Sequence, residues 1–278
     1  MSAEIENRPK IHIKPGDSWI GLDLGGLWAY RELLYFLAWR DVKVRYRQTA
    51  IGVLWAILQP VVTTAIFTVI FSSLARFDSP GVAYPLFALS GLLVWLFVFN
   101  SITFASNSLV GNANLVTKVY FPRLIVPLAA TLAGVADLIP GFVVLIGLML
   151  FYGVVPSWQI LAAPFFIFLA IALALSLGTL FSALNVRFRD VKFALPFALQ
   201  IWMFLSPVFY PLEILSGKVR FAFSFNPLTG ILQGLRASLF GEAFDWTAIS
   251  LSIAVTVALM LFSLYVFKRM EDDFADQI

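Results

Sequence analysis

The 278-residue sequence contains no cysteine and only one histidine, His12. Without cysteine, the chain can form neither disulfide bonds nor thiolate metal sites nor iron–sulfur clusters. His12 lies in a polar N-terminal segment with no second type of metal ligand clustered beside it, so we expect no metal site. Charged residues are scarce too, at 13% of the chain against about 25% in an average soluble protein.

Motifs for catalysis and nucleotide binding are also missing. The sequence has no G-x-x-x-x-G-K-[ST] phosphate loop, no H-E-x-x-H zinc motif and no pair of carboxylates near a histidine. We therefore predict that the chain is not an enzyme and binds no cofactor itself. A membrane glycosyltransferase or phosphotransferase would need clustered acids or histidines at the membrane surface, and the chain lacks them. A proton-coupled secondary transporter would usually carry several intramembrane charges, and only Asp137 qualifies.

Apolar residues, by contrast, make up 60% of the chain, and the mean hydropathy is +0.90. The charges are segregated, which leaves apolar runs long enough for the ~20 residues of helix that cross a hydrocarbon core. The sequence therefore predicts an all-α integral membrane protein with six transmembrane helices. Their expected bounds are 51–74, 85–108, 124–152, 161–184, 193–210 and 246–267, with the third helix broken at Pro127 and at Pro140-Gly141.

The distribution of positive charge predicts the orientation. Of the 19 Lys and Arg residues, all but four would lie on the side of the N-terminus, which is typical of the cytoplasmic side. The four exceptions are Arg76, Lys218, Arg220 and Arg236. We therefore expect both termini in the cytoplasm, as tails over 1–27 and 268–278. The polar start of the chain has no apolar core and does not resemble a cleavable signal peptide.

Two segments are expected at the cytoplasmic surface, the first over 28–50. Its apolar stretch at 33–39 is too short to span a membrane, and charges flank it on both sides. Arg40, Lys43 and Arg47 recur on one helical face. This pattern is typical of an amphipathic helix lying in the interface, where anionic lipids attract it. A tilted extension of the first span is the alternative.

The second segment is the polar break at 112–123 between two long apolar runs. Asn112 or Asn114 would cap a helix of about two turns, which Pro122 would end. Its side chains at i, i+4 spacing would form an apolar stripe beside one lysine: Leu115 with Val119, Val116 with Tyr120, and Lys118. The segment is either a docking surface for an outside motor or a loop resting in the lipid headgroups.

On the opposite side, the segment 211–245 is long, rich in phenylalanine and interrupted by prolines. Its apolar pieces are too short to cross, so we predict a pair of re-entrant half-helices, with a simple extracytoplasmic loop as the alternative. Within the membrane, Asp137 is the one ionisable residue. It is interpreted either as a proton relay or as a buried, hydrogen-bonded acid that supports a helix break.

Two helix faces stand out. The fourth span carries a stripe of small residues at i+4 spacing, which lets a neighbouring helix approach closely: Ala170, Ala174, Gly178 and Ser182. The fifth span carries aromatic rings and an amide on one face: Phe193, Phe197, Gln200 and Phe204. Such a face suits sugar rings, but in a chain with 28 phenylalanines it is equally consistent with ordinary packing.

Five runs carry a resemblance to a known family. They are RDVKVRYRQTAIGVLWAILQP at 40–60, NLVTKVYFPRLIVP at 114–127, NVRFRDV at 185–191, the segment 196–211 ending in SPVFYP, and NPLTGILQGLRASL at 226–239. In order and spacing they resemble the type 2 ABC exporter permeases of the polysaccharide branch, which includes O-antigen, capsule and teichoic acid permeases. The resemblance covers nearly all of the chain from Arg31 onward.

The resemblance implies a homodimer that binds two copies of a separate ATPase subunit, which holds ATP and Mg. The 28–50 segment would be the interfacial helix, 112–123 the coupling loop seated in the ATPase, and 211–245 the re-entrant pair. The implied substrate is a glycan on undecaprenyl diphosphate or a similar lipid carrier, exported across the bacterial cytoplasmic (inner) membrane. An O-antigen-type glycan is the cargo expected first, and the alternative is a teichoic acid, capsule, drug or small-lipid exporter of the same fold. No nucleic acid partner is expected.

Candidate site residues follow from these assignments. We expect ATPase contacts from Leu115, Val116, Lys118, Val119, Tyr120 and Arg123. We expect Arg40, Lys43 and Arg47 to meet the lipid diphosphate. We expect Trp55, Gln59, Phe197, Gln200 and Phe204 to line the channel.

Overall fold

The computed structural model describes residues 24–47, 54–74 and 82–277, and within these ranges the chain forms helices and loops without a strand. The helices are α1 Leu24–Ala29, α2 Arg31–Arg47, α3 Leu54–Thr68 with a π-helical continuation Val69–Leu74, α4 Tyr84–Gly111, α5 Ala113–Lys118, α6 Ile125–Phe151, α7 Ala163–Arg187 preceded by a 3-10 turn Trp158–Ala162, α8 Val191–Phe204, α9 Gly217–Ser224, α10 Pro227–Phe240, α11 Trp246–Glu271 and α12 Phe274–Gln277. The all-α prediction is confirmed for this part of the chain.

Among the described residues, four helices are long and apolar enough to cross a membrane: Tyr84–Gly111, Ile125–Phe151, Trp158–Arg187 and Trp246–Glu271. They confirm the expected second, third, fourth and last spans. The fifth apolar run forms a shorter helix than expected, because α8 ends at Phe204 and the chain turns at Pro207. Its 14 residues extend over about 21 Å, less than the ~30 Å of a hydrocarbon core. The start of the expected first span lies outside the described residues, and the count of six stays a prediction.

The predicted breaks in the third span are wrong, because α6 is one continuous helix. Pro127 is the third residue of α6, within the first turn, where a backbone N–H has no intrahelical partner to lose. Pro140 lies in the helix interior and removes only its own hydrogen bond. The helix continues despite the loss of this one backbone hydrogen bond.

α4 is the centre of the bundle. Most of its side chains are buried, and α3, α6, α7, α8 and α10 all pack against it. The small-residue stripe of α7 is buried as predicted and faces α4: a Cβ on Gly178 would come within 2.7 Å of the Ala105 Cβ atom. Asn185 closes this contact by donating to the Ser106 carbonyl at 2.9 Å. The predicted close approach of α7 to a neighbour is confirmed.

The expected interfacial segment begins within α1 and continues through α2 to Arg47, whereas residues 48–50 lie outside the described part of the chain. α2 packs against α6 and buries only Leu37 fully. Several of its aromatic and aliphatic side chains remain exposed, among them Tyr35, Phe36, Trp39 and Val44. One face of α2 therefore rests on the bundle and its other faces lie on the outside.

The segment 211–245 is a helical hairpin rather than an open loop. α9 is short and half-exposed, whereas nearly every residue of α10 is buried among α4, α7 and α11. A Cβ on Gly230 would meet the Ala248 carbonyl oxygen at 2.3 Å, and one on Gly234 would meet the Phe166 ring at 2.0 Å. α10 is thus built into the bundle, and its depth in a membrane stays a prediction.

Candidate functional site

α5 is shorter than predicted, and its N-cap residue makes no capping hydrogen bond. The helix ends at Lys118, since the backbone of Val119 is extended (φ −124°, ψ 134°). Asn112 occupies the N-cap position of α5, as predicted, but its side chain makes no capping hydrogen bond there and its amide instead donates to the Ser108 carbonyl of α4 at 2.8 Å. Val119 and Tyr120 lie beyond the helix, so the predicted i, i+4 stripe does not form.

The apolar side of α5 faces inward. Val116 is 3% exposed and belongs to a group of buried side chains that we name the α5 cluster. Its members come from α2, α4, α5, α6, α7, α11, α12 and the loop after α5: Leu37, Leu109, Val116, Phe121, Ile125, Val126, Ala129, Ala183, Val186, Phe267 and Phe274. Val116 therefore faces the interior of the chain rather than its surface, and its contact with an ATPase stays a prediction. Val116 connects α5 to the ends of the long helices.

The exposed side of α5 offers a different contact surface from the one predicted. Lys118, Val119 and Tyr120 are exposed, with Tyr120 at 72%, and Leu115 is half-buried against the α5 cluster. Arg123 is turned into the protein: its backbone N–H donates to Glu271 Oε1 at 3.3 Å, and its guanidinium donates to the Glu271 carbonyl. Of the six predicted coupling residues, three are thus freely presented to a partner.

Two further hydrogen bonds tie the N-terminal helices to this region. The Tyr30 hydroxyl, between α1 and α2, donates to the Tyr120 carbonyl at 3.4 Å. The Arg40 guanidinium donates to Asn112 Oδ1 at 2.9 Å and pairs with Asp41 at 2.8 Å. The loop around α5 is consequently linked at one end to α2 and at the other to the junction between α1 and α2.

The three cations of the predicted basic face of α2 differ in their contacts. Arg40 is engaged with Asn112 and Asp41, whereas the Lys43 ammonium lies 5.3 Å from the centroid of the Trp39 ring and stays exposed. Arg47 is exposed and has no ion-pair partner among the described residues. Lys43 and Arg47 are the two cations of this face that remain available to an anion.

Asp137 is the centre of an interhelical contact that the sequence did not predict. Arg45 forms an ion pair with one carboxylate oxygen, and the Tyr46 hydroxyl donates to the other. The Arg45 guanidinium also lies 4.3 Å from the ring centroid of Phe104 on α4. Burial raises the pKa of the Tyr46 phenol, and its hydrogen bond to Asp137 raises it further. These contacts support the hydrogen-bonded acid over the proton relay, although the acid joins α6 to α2 rather than supporting a helix break.

The predicted channel residues lie on exposed faces of two helices. Trp55 and Gln59 are exposed on α3, and Phe197, Gln200 and Phe204 are exposed on α8. Both helices pack on α4. A single chain therefore presents these side chains outward on two surfaces and brings neither surface into its own core.

Arg236 is a functional candidate that sequence reasoning missed, because it was counted as a loop charge. Its fully buried guanidinium donates to the carbonyls of Pro207 (2.8 Å), Val208 (2.7 Å) and Phe87 (3.0 Å), and it stacks 3.5 Å from the Phe87 ring centroid. These bonds join α10 to the start of α4 and to the turn after α8. Arg236 thus holds the α10 end of the hairpin in place.

The chain is similar in sequence to several known proteins. The chain is 26% identical over 255 residues to an O-antigen export system permease protein RfbA from Myxococcus xanthus, covering 91% of this chain and 97% of that protein. It is 26% identical over 246 residues to an RfbA from Klebsiella pneumoniae (88% and 94%), and 24% identical over 243 residues to the polysialic acid transport protein KpsM of Escherichia coli (80% and 89%). Residues 32–240 match the family described as ABC-2 type transporter, and since this match spans most of the chain, the protein belongs to the ABC-2 type transporter family.

Proposed function

We propose that this chain is the membrane subunit of an ATP-driven exporter that moves a lipid-linked polysaccharide outward across the bacterial cytoplasmic membrane. The observation that carries the proposal is the two-sided construction of α5. Lys118, Val119 and Tyr120 are presented outward, while Val116 is anchored in the α5 cluster. A force that a partner applies to the exposed side of such an element can displace the helices that pack against its buried side. The names of the relatives, which concern O-antigen export and polysialic acid transport, support a polysaccharide as cargo.

The proposed assembly is a homodimer with two copies of a separate ATPase subunit. Each protomer contributes six spans with both termini in the cytoplasm, and α9 and α10 form a re-entrant hairpin on the outer side. The outward faces of α3 and α8, which carry large exposed apolar side chains, are the surfaces proposed to meet across the dimer. Such faces would associate through van der Waals packing and hydrogen bonds between helices, since lipid is as apolar as the side chains, and the two chains would enclose a path together.

In the proposed transport cycle, ATP-driven closure of the ATPases presses on the loop around α5. Because the α5 cluster includes side chains from α4, α6, α7 and α11, the displacement reaches the ends of all these helices. The diphosphate of the lipid carrier meets Lys43 and Arg47 at the inner surface, since Arg40 is already engaged with Asn112 and Asp41. The glycan then passes the rings and amides of Trp55, Gln59, Phe197, Gln200 and Phe204.

Deletion of the permease from its native bacterium tests the proposal. We expect the polysaccharide to disappear from the cell surface and the lipid-linked polymer to accumulate inside, with plasmid-borne permease restoring export. A matched strain with an ATPase whose phosphate-loop lysine is replaced should show the same defect. Surface polysaccharide at its normal level in the deletion strain would contradict the proposal. In that case, increased sensitivity to a drug in the same strain would identify a small-molecule exporter.

A further inference from the structure

The segment after the last long helix is anchored in the protein by one aromatic side chain, Phe274. Its composition, Glu271–Asp276, suggests a solvated acidic tail, yet Phe274 in α12 is only 1% exposed. The Phe274 ring lies edge-on to Phe267 of α11, with ring centroids 5.2 Å apart. Both rings belong to the α5 cluster, as does Val116. The end of the chain thus forms part of the apolar support on which α5 rests.

Glu271 adds a polar connection between the same parts of the protein. Its carboxylate accepts from the Arg123 backbone N–H at 3.3 Å and from the Lys268 ammonium at 3.0 Å. Its carbonyl accepts from the Arg123 guanidinium. Arg123 follows α5 closely in sequence, so the end of α11 is bound directly to the exit of the α5 loop. Apolar and polar contacts thus both join the α5 loop to the end of α11, although the two are far apart in the chain.

A helix as short as α5 depends on such support. Its six residues make too few backbone hydrogen bonds to hold a helix in isolation, so its position is set by what packs against it. α4 contacts it from one direction and α12 from another, and α12 also contacts α7. Without α12, the inner side of α5 would lose one of its aromatic contacts and could shift under load.

We propose that residues 271–277 are a brace that fixes α5 against α7 and α11 and so makes ATP hydrolysis productive for transport. The inference rests on the proposed function in one respect, namely that an ATPase presses on α5. With the brace intact, displacement of α5 moves the long helices. With the brace weakened, the ATPase still binds through Lys118, Val119 and Tyr120, but its stroke moves α5 alone. Hydrolysis then continues while transport falls.

Phe274→Ala in the full complex, reconstituted with its ATPase, tests the coupling. We expect the ATPase to co-purify at the wild-type ratio and the amount of glycan exported per ATP hydrolysed to fall about fivefold or more, the lower end of coupling between linked sites. Asp273→Asn is the matched control, because Asp273 is exposed beside Phe274. An unchanged ratio of export to hydrolysis in Phe274→Ala would overturn the brace. Loss of the ATPase from the complex would also overturn it, since the segment would then shape the docking surface instead.

A second measurement examines the packing without any transport assay. Because the chain has no native cysteine, Phe274→Cys and Asp273→Cys each introduce a single thiol. In the membrane-embedded complex we expect a maleimide to label position 274 roughly tenfold more slowly than position 273, since only exposed thiols react readily. Equal labelling would overturn the brace even if Phe274→Ala failed to fold. If the wild-type complex exported no glycan, the proposed function would fail while the labelling ratio still tested the brace.

Discussion

At the scale of single residues, buried and partly buried polar groups determine how the helices are joined. Asp137 and Arg236 are the clearest cases, because each connects elements that are distant in sequence. A carboxylate or guanidinium away from water is costly unless charges or hydrogen bonds compensate it. Both groups are compensated here, the acid by Arg45 and Tyr46 and the guanidinium by main-chain carbonyls.

Removal of the Asp137 carboxylate should loosen α2 from α6. We expect Asp137→Ala to lower the stability of the detergent-solubilised protein by about 2 kcal/mol, less than the 3–5 kcal/mol typical of fully buried pairs, because both side chains keep nearly a fifth of their exposure. Thermal unfolding followed by fluorescence would measure the loss. In the double variant with Arg45→Ala, the two losses should be clearly less than additive. Additive losses would mean that the ion pair does not couple the two helices.

Gly91 leaves the space that the Arg236 guanidinium occupies. A Cβ there would lie 2.3 Å from Arg236 Nη2 and 2.7 Å from the Val208 carbonyl oxygen. Gly91→Ala should therefore displace the guanidinium and lower the melting temperature by several degrees, as expected for a loss of about 2 kcal/mol. Gly147→Ala is the control, because Gly147 lies on an open face of α6 with nothing within 4 Å. A similar melting temperature in both variants would contradict this role of Gly91.

At the scale of elements, the long apolar helices could be predicted from composition, whereas helix ends and contacts set by tertiary structure could not. α4, α6, α7 and α11 were predictable because each is a long apolar run with few charges. The end of α8 was not, since an apolar run through Pro207 has the same composition whether it continues or turns. The contact of Asp137 with Arg45 and the burial of Phe274 join residues that only the fold brings together. Likewise, the periodicity of the sequence could not tell that Val116 faces inward, because the stripe that it predicted for Val116 and Tyr120 does not form.

The two sides of α5 should respond differently to mutation. Lys118 is exposed, so Lys118→Glu should weaken ATPase co-purification about fivefold, equivalent to about 1 kcal/mol, and leave the melting temperature unchanged. Val116→Ala removes buried apolar volume and should lower the melting temperature while co-purification persists.

Arg123 is a poor probe of the docking surface, although the sequence favoured it. Reversal of its charge would break its contact with Glu271 and alter the fold as well as the surface.

If Lys118→Glu left co-purification intact, or if Val116→Ala abolished it without a change in melting temperature, the assignment of the two sides of α5 would be wrong.

At the scale of the whole molecule, the apolar surface is of two kinds. Some exposed aromatic side chains lie on α7, as Phe168 does, and others lie on α8 beside an amide, as Phe197 does beside Gln200. Their exposure is nearly the same, 67% for Phe168 and 68% for Phe197. Exposure alone therefore does not distinguish a lipid-facing side chain from one that lines a path between two copies of the chain. The effect of its replacement on glycan export does distinguish them.

Replacement of both Phe197 and Phe204 with Ala should impair export without loss of the ATPase. If each ring–sugar contact is worth about as much as a contact between two aromatic rings, about 0.5–1.5 kcal/mol, the loss of both rings corresponds to roughly a tenfold fall in transported glycan. Phe168→Ala is the matched control, because it removes an equally exposed ring from a different helix and should leave export near the wild-type level. Surface polysaccharide would be quantified with co-purified ATPase measured in the same membranes. If the double variant exported as well as Phe168→Ala, the rings of α8 would be facing lipid, and the path would have to run along another surface of the dimer.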